Sequence, residues 1–234
     1  PSCLWLRHEL DSVFGIDEVP CAANADRMYD ALSARLASPE FRPRALFEKF
    51  NLEVRSTTDA ASDALLQHQA IRASGWNARV IPTFRPDGVI NLDAPGWQAN
   101  LAALSAVSGN EVDSYPALLR ALEAQRRHFK SLGAVASDHA AVAPLTGTLT
   151  VSEAETIFQR ALAGKVTTAE AVRFTAHMLV EMARLSIDDG LVMQLHLGVL
   201  RDHNRLVCEL FGNDRGADIP VAAEFTRSLQ HLLD

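Results

Sequence analysis

Four strand-length apolar runs, separated by amphipathic helical sequence, constrain the fold of this chain more than any other feature. The runs are Leu52-Glu53-Val54-Arg55, Ala78-Arg79-Val80-Ile81-Pro82, Ala134-Val135-Ala136 and Leu191-Val192-Met193-Gln194-Leu195. Each breaks off at reactive polar residues: Ser56-Thr57-Thr58-Asp59, Thr83-Phe84-Arg85-Pro86-Asp87, Ser137-Asp138-His139 and His196. Strands that alternate with helices, and that lack a strict polar–apolar alternation of their own, predict an α/β fold with a buried parallel sheet.

A strand series that delivers hydroxyls, carboxylates, imidazoles and a guanidinium at its C-terminal ends builds a site as a (β/α) barrel does. Helix N-capping is the competing reading, because Ser, Thr and Asp lead at N-caps. It accounts for Thr58 or Asp59 but not for Arg85, His139 or His196. The strands are expected near 51–57, 78–84, 134–138 and 190–196. Residues 17–35 are expected to be mostly helical, with Asn24-Ala25-Asp26 as the start, and further helices are expected over 44–50, 61–74, 97–107, 114–131, 151–163, 167–189 and 200–211, with a last one from Val221. Pro86-Asp87-Gly88 reads as a turn, and residues 140–150 read as a loop. Four βα units are too few to close a barrel of eight. No Gly-rich phosphate loop follows any strand, which disfavours a doubly wound nucleotide-binding sheet.

At 234 residues and 48% hydrophobic composition, the chain can bury a sizeable core. Its formal charge of −7 is spread along the sequence without a basic stripe, which excludes nucleic acid as an expected partner. The apolar stretches are too short to span a bilayer, and Pro1-Ser2-Cys3-Leu4-Trp5 lacks the pattern of a secretion signal. Cys3, Cys21 and Cys208 are odd in number and widely spaced, as reduced thiols of a cytoplasmic protein would be.

Taken together, the strand ends resemble the uronate isomerases, a branch of the amidohydrolase superfamily. Glu9-Leu10, Phe14-Gly15-Ile16, Thr57-Thr58-Asp59, Pro82-Thr83-Phe84-Arg85-Pro86-Asp87 and Ser137-Asp138-His139 match that family in order. Val192-Met193-Gln194-Leu195-His196 follows, with Gly198, Arg201, Asn204, Gly212, Asp214, Gly216 and the region of Leu229 behind it. Ala60, Ala140 and Asp202 depart from residues common in the family. The resemblance implies a (β/α)8 TIM barrel of amidohydrolase type with helical insertions, here an incomplete one. Residues 1–234 would form the central part of a single metal-dependent catalytic domain. The family's first-strand His-x-His pair, its His-Tyr pair, and its last-strand Asp with the Arg that follows closely are not found here. A divalent metal, zinc by expectation, is therefore implied, with its main ligands outside this sequence and no metal ligand assigned within it.

The implied reaction interconverts D-glucuronate with D-fructuronate, or D-galacturonate with D-tagaturonate, through an enediol. It needs a proton-handling group, stabilisation of developing charge and a grip on a carboxylate. The resemblance places a substrate-contacting Arg at Arg85, whose planar fork suits a carboxylate. Pairing with Asp87 to hold the loop is the alternative. His139 and His196 are assigned to catalysis, against the alternative of satisfied core histidines. Thr58, Asp59, Asp138 and Arg201 are assigned to substrate binding. Two other readings of the chain remain: a metal-dependent hydrolase of the same superfamily, and a non-catalytic truncated half-barrel. A soluble homo-oligomer is the expected assembly.

Overall fold

The computed structural model describes residues 2–141 and 143–233, and the chain divides into two units, Pro1–Glu53 and Val54–Asp234. The first unit holds α1 (Ser2–Ser12), α2 (Ala25–Leu36), a 3-10 turn at Pro39–Phe41 and α3 (Pro43–Lys49). Phe14 stacks on Phe41 at 5.2 Å, and the Lys49 ammonium lies 4.9 Å from the Phe41 ring centre. The helix within 17–35 begins at Ala25 with Asn24 as its N-cap, at the expected start, and residues 17–23 are not helical. Before it, the Asn24 carboxamide accepts from the Cys21 amide at 2.8 Å, a local bond that competes with helical pairing.

In the second unit the order is β1 (Val54–Ala60), α4 (Leu66–Ala73), β2 (Arg79–Arg85), α5 (Asp87–Ile90), α6 (Trp97–Ser108), α7 (Tyr115–Ser131), β3 (Ala136–Ala141), α8 (Val151–Leu162), α9 (Thr168–Asp189) and β4 (Val192–Leu197). Then come β5 (Val199–Leu200), α10 (Arg205–Phe211), β6 (Ile219–Pro220) and α11 (Gln230–Leu233). Strands β1 to β4 form one parallel sheet in sequence order, and β5 pairs antiparallel with β6. The α/β class and the single parallel sheet agree with the sequence reading.

Three helices cover the same side of this sheet. His68 of α4 bonds Thr57 of β1 at 2.8 Å. Phe129 of α7 meets Phe84 of β2 edge-on at 5.1 Å. Met193 of β4 packs on the core cluster that includes Met178 and Met182 of α9. Burying aromatic and aliphatic side chains of this kind contributes roughly 1.5–3 kcal/mol each. Helices α8 and α9 both begin with a reciprocal capping box, Thr150 with Glu153 and Thr167 with Glu170. Gly190 ends α9 in the left-handed region at φ 77°, which a β-carbon would strain. Among the described residues no helix is long and apolar enough to cross a membrane.

Three of the four large strands start two residues or more later than the sequence suggests. Asn51, at φ 49°, closes the end of α3, so β1 cannot begin there. The strands also run on to Ala60, Ala141 and Leu197, so Thr57, Thr58, Asp59, Asp138, His139 and His196 all lie inside strands, where successive side chains point to opposite faces. The expected turn at residues 86–88 opens α5 instead. The helix expected from Val221 is absent over 221–229, where the Val221 amide bonds the Gly198 carbonyl at 2.8 Å and prolongs the β5–β6 pairing. Val142, within the expected loop, lies outside the described residues; 143–150 contains no helix or strand.

Candidate active site

Strand register decides which of the predicted residues meet. Ala60 pairs with Arg85, Phe84 with Ser137, Asp138 with Gln194 and Ala140 with His196. Level neighbours in a parallel sheet share a face, as do residues i and i+2. Thr58, Arg85, Asp138, Gln194 and His196 therefore lie on the face away from α4, α7 and α9. Asp59, Phe84, Ser137 and His139 lie on the helix-covered face.

At the C-terminal ends of the strands, charge alternates along a connected chain of side chains. Arg85 Nε donates to Asp87 Oδ2 at 2.8 Å, and Arg85 Nη1 lies 3.6 Å from Asp138 Oδ2. That Asp138 oxygen faces His196 Nδ1 at 3.8 Å. His196 Nε2 lies 3.4 Å from Arg201 Nη2, and Arg201 Nη1 donates to Asp218 Oδ2 at 2.8 Å. Asp87 also accepts the Ala140 amide at 3.1 Å, tying the head of α5 to β3. Burial pushes the Asp87 carboxyl above its ordinary range, and the hydrogen bond from Arg85 opposes that shift.

Arg85, Arg201, Asp214 and Asp218 line a cleft of about 560 Å³. A second cavity of about 410 Å³ shares Ala140 and Arg201 with it and is walled by Ala171, Thr175 and Leu179. Two guanidinium groups with unspent N–H donors can hold an anion bidentately. An imidazole between a carboxylate and a guanidinium can take up or give a proton.

Arg85, Asp138, His196 and Arg201 are thus brought together. Thr58 shares their face but sits one level lower, opposite Thr83. Asp59 and His139 are not brought to this rim, which corrects the expectation that Thr58, Arg85, His139 and His196 all converge there. The physical reason is alternation: with Asp138 facing the rim, its chain neighbour His139 must face the helices. Asp59 Oδ2 accepts from Thr57 Oγ1 at 2.7 Å and lies 3.7 Å from His68. His139 is 1% exposed, with Nε2 3.0 Å from Ser137 Oγ and Nδ1 unpartnered among the described residues. Burial, reinforced by Arg126 and Arg85, pushes its pKa down to about 3.

Sequence reasoning passed over Asp218 and Gln194. Gln194 had a signal, since it precedes His196 by two residues and so shares its face. Asp218 had none, because only the β5–β6 pairing places it beside Arg201. Among the described residues no group of three or more His, Cys, Asp or Glu side chains is placed to hold a metal ion. The local donors Asp138 and His196, flanked by two guanidinium groups, do not amount to a metal centre.

A parallel sheet covered by helices on one side, with polar residues gathered at its C-terminal edge, is consistent with part of a (β/α)-barrel enzyme. Comparison with known proteins narrows that class. The glucuronate isomerase family profile matches residues 1–234. The chain is 52% identical to a uronate isomerase of Nostoc punctiforme, covering 100% of this chain and 49% of that protein. It is 47% identical to one of Rhizorhabdus wittichii, covering 100% and 50%. The crystal structure of glucuronate isomerase from Caulobacter crescentus superposes with a TM-score of 0.91 at 42% identity, covering 100% of this chain and 49% of that one. That of the Thermotoga maritima uronate isomerase superposes at 0.89 with 28% identity, covering 100% and 52%. The chain belongs to the glucuronate isomerase family. It spans about half the length of the curated relatives it matches.

Proposed function

We propose that the protein carrying this chain is a uronate isomerase that interconverts D-glucuronate with D-fructuronate, and D-galacturonate with D-tagaturonate. The observation that supports it is the meeting of Arg85, Asp138, His196 and Arg201 at one sheet edge, in a chain of the glucuronate isomerase family. In this reading the four parallel strands are consecutive strands of an amidohydrolase-type (β/α)8 barrel, completed by residues outside this chain.

Arg85 spends an N–H on Asp87 and turns Nη1 towards Asp138, Arg201 spends one N–H on Asp218 and one on His196, and the remaining N–H groups of both are kept for the substrate carboxylate. A bidentate grip of this kind fixes the sugar acid so that its C1–C2 end has one orientation. The isomerisation moves one proton from C2 to C1 and one from the C2 hydroxyl to O1, through an enediol. His196, held between Asp138 and Arg201, is the proton-handling group on this half of the rim. His139, buried and held neutral on the other face, takes no part. The divalent metal implied by the resemblance would be bound by residues outside this chain, and it would supply Lewis-acid chemistry at the sugar oxygens. The protein acts as a cytoplasmic homo-oligomer on a small-molecule substrate.

The test is direct. Full-length protein is incubated with D-glucuronate and with D-galacturonate, and formation of the ketose is followed. Turnover of neither hexuronate would sink this reading.

A further inference from the structure

We infer that Asp218 is a positioning residue: it holds Arg201 against His196 and thereby sets both the imidazole tautomer and the guanidinium that meets the substrate. The inference rests on the isomerase reading for its kinetic consequence, but its structural consequence stands by itself.

Arg201 and Asp218 flank the two-stranded β5–β6 pair, in which Leu200 lies opposite Ile219. They are therefore cross-strand neighbours just past the last register pair. Asp218 uses both carboxylate oxygens: Oδ2 takes Arg201 Nη1 at 2.8 Å, and Oδ1 takes the Asp202 amide at 3.2 Å. The side chain thus grips the head group of Arg201 and the backbone immediately after it.

The excursion between the two strands is clamped at its base. Asp202 accepts the amides of Asp214 at 3.1 Å and Gly216 at 2.9 Å. The amides of His203 and Asn204 bond the carbonyls of Ala217 and Gly216 at 3.0 and 2.9 Å. A β-carbon on Gly216 would lie 2.8 Å from the Asn204 carbonyl oxygen and 2.9 Å from Asp202 Cα, so only glycine allows this approach. Asp202, Asp214 and Ala217 all adopt left-handed backbone, at φ 50°, 61° and 57°. Such strain persists only where surrounding bonds over-determine it, and it gathers at functional sites.

The pair is a poor stability device. The Arg201 and Asp218 side chains are 44% and 36% exposed, and an ion pair so solvated contributes little to folding. Its geometric effect is large by comparison. An arginine N–H can only donate, so the contact from Arg201 Nη2 requires an unprotonated His196 Nε2 and leaves the neutral ring its proton on Nδ1, towards Asp138. Without Asp218, Arg201 has no anchor on that side and the tautomer is no longer selected.

The test uses the full-length protein with three variants, Asp218→Ala, Asp218→Asn and Arg201→Met, and their combinations. At pH 8, imidazole ¹⁵N shifts should report His196 as the Nδ1–H tautomer in the unsubstituted protein and as a mixture in Asp218→Ala. In kinetics, Asp218→Ala should raise KM for D-glucuronate about tenfold, the effect of one charge-assisted contact, and should also lower kcat, because the proton-handling His196 is no longer held in one tautomer. Asp218→Asn keeps an acceptor oxygen for Arg201 and should recover most of the loss. In an Arg201→Met background, either Asp218 substitution should add nothing. If Asp218→Ala fails to fold, Asp218→Asn in the two backgrounds answers the same question. An unchanged tautomer in folded Asp218→Ala, or an effect of Asp218 that persists without Arg201, overturns the inference. An unsubstituted protein that turns over no hexuronate removes the isomerase reading alone, because the ¹⁵N measurement still decides the role of Asp218.

Discussion

Arg85 shows how a residue serves structure and chemistry together. Its Nε ties down Asp87, and Asp87 in turn accepts the Ala140 amide, so the arginine braces the rim while its remaining N–H groups face the cleft. Lysine keeps the charge but loses the fork. Arg85→Lys in the full-length protein should therefore lower kcat/KM by on the order of 2–3 kcal/mol while the fold survives. Kinetics indistinguishable from the unsubstituted protein would remove Arg85 from the site. His139 yields a prediction about pH. Its folded pKa, pushed down to about 3, lies below the ordinary value of 6.5, so the unfolded chain binds the proton more tightly. The stability it contributes is complete above pH 6.5 and is lost as pH falls towards 3. The slope is at most about 1.4 kcal/mol per pH unit from this one group. His177, lowered by burial in the same direction, adds to the trend. Urea titrations of the full-length protein between pH 7 and 4 measure it, and His139→Gln should flatten the dependence. An unflattened curve would mean that this imidazole takes up its proton as readily in the fold as in the unfolded chain.

Among the elements, α7 and α9 are joined by a charge inside the core. Arg126 is 1% exposed, donates twice to Asp189 at 2.6 and 2.9 Å and once to Ser186 at 2.9 Å, and lies 5.5 Å from the Phe84 ring centre. Burial acts to raise the Asp189 carboxyl, but the bonds from Arg126 and from the Leu191 amide outweigh it and hold the group below its ordinary range. Asp189 is the last residue of α9, directly before Gly190 and the run into β4, so this pair aims the strand that carries His196. Arg126→Met conserves much of the volume and strands the carboxylate. It should cost about 3 kcal/mol, the low end for a broken buried pair because Asp189 keeps some contact with water. Chemical denaturation gives the number, and a loss below about 1 kcal/mol would show that methionine packing replaces the pair. The helices themselves were legible from their apolar spacing, and the structure closes two of them with capping boxes, Thr150 with Glu153 and Thr167 with Glu170, and ends one at Gly190. The strand ends were less so, since Asn51 in left-handed backbone and the β5–β6 pairing displaced the expected starts of β1 and the last helix.

On the scale of the whole molecule, the sheet has two edges, β1 and β4, and on these strands the face turned from the helices is open. Ser56, Thr58 and Ala60 are exposed there, as are Val192, Gln194 and His196, with Val192 at 65%. Open parallel edges and uncovered apolar positions invite pairing with another chain. Expressed as these 234 residues alone, the polypeptide should associate and should not isomerise uronates. A monodisperse 25.5 kDa species in analytical ultracentrifugation, with full turnover, would contradict this. The sequence by itself determined the alternation of strand and helix, the parallel class of the sheet and the family, because all of these are written in local composition and spacing. It also pointed to Arg85 and His196, each the only charged or imidazole side chain at its strand end on that face. Only the tertiary structure decided which of the adjacent Asp138 and His139 turns to the rim. That choice rests on strand register, where a slip of one residue reverses every side chain. The same holds for Asp218, which meets Arg201 through pairing across a 17-residue separation that no local pattern records.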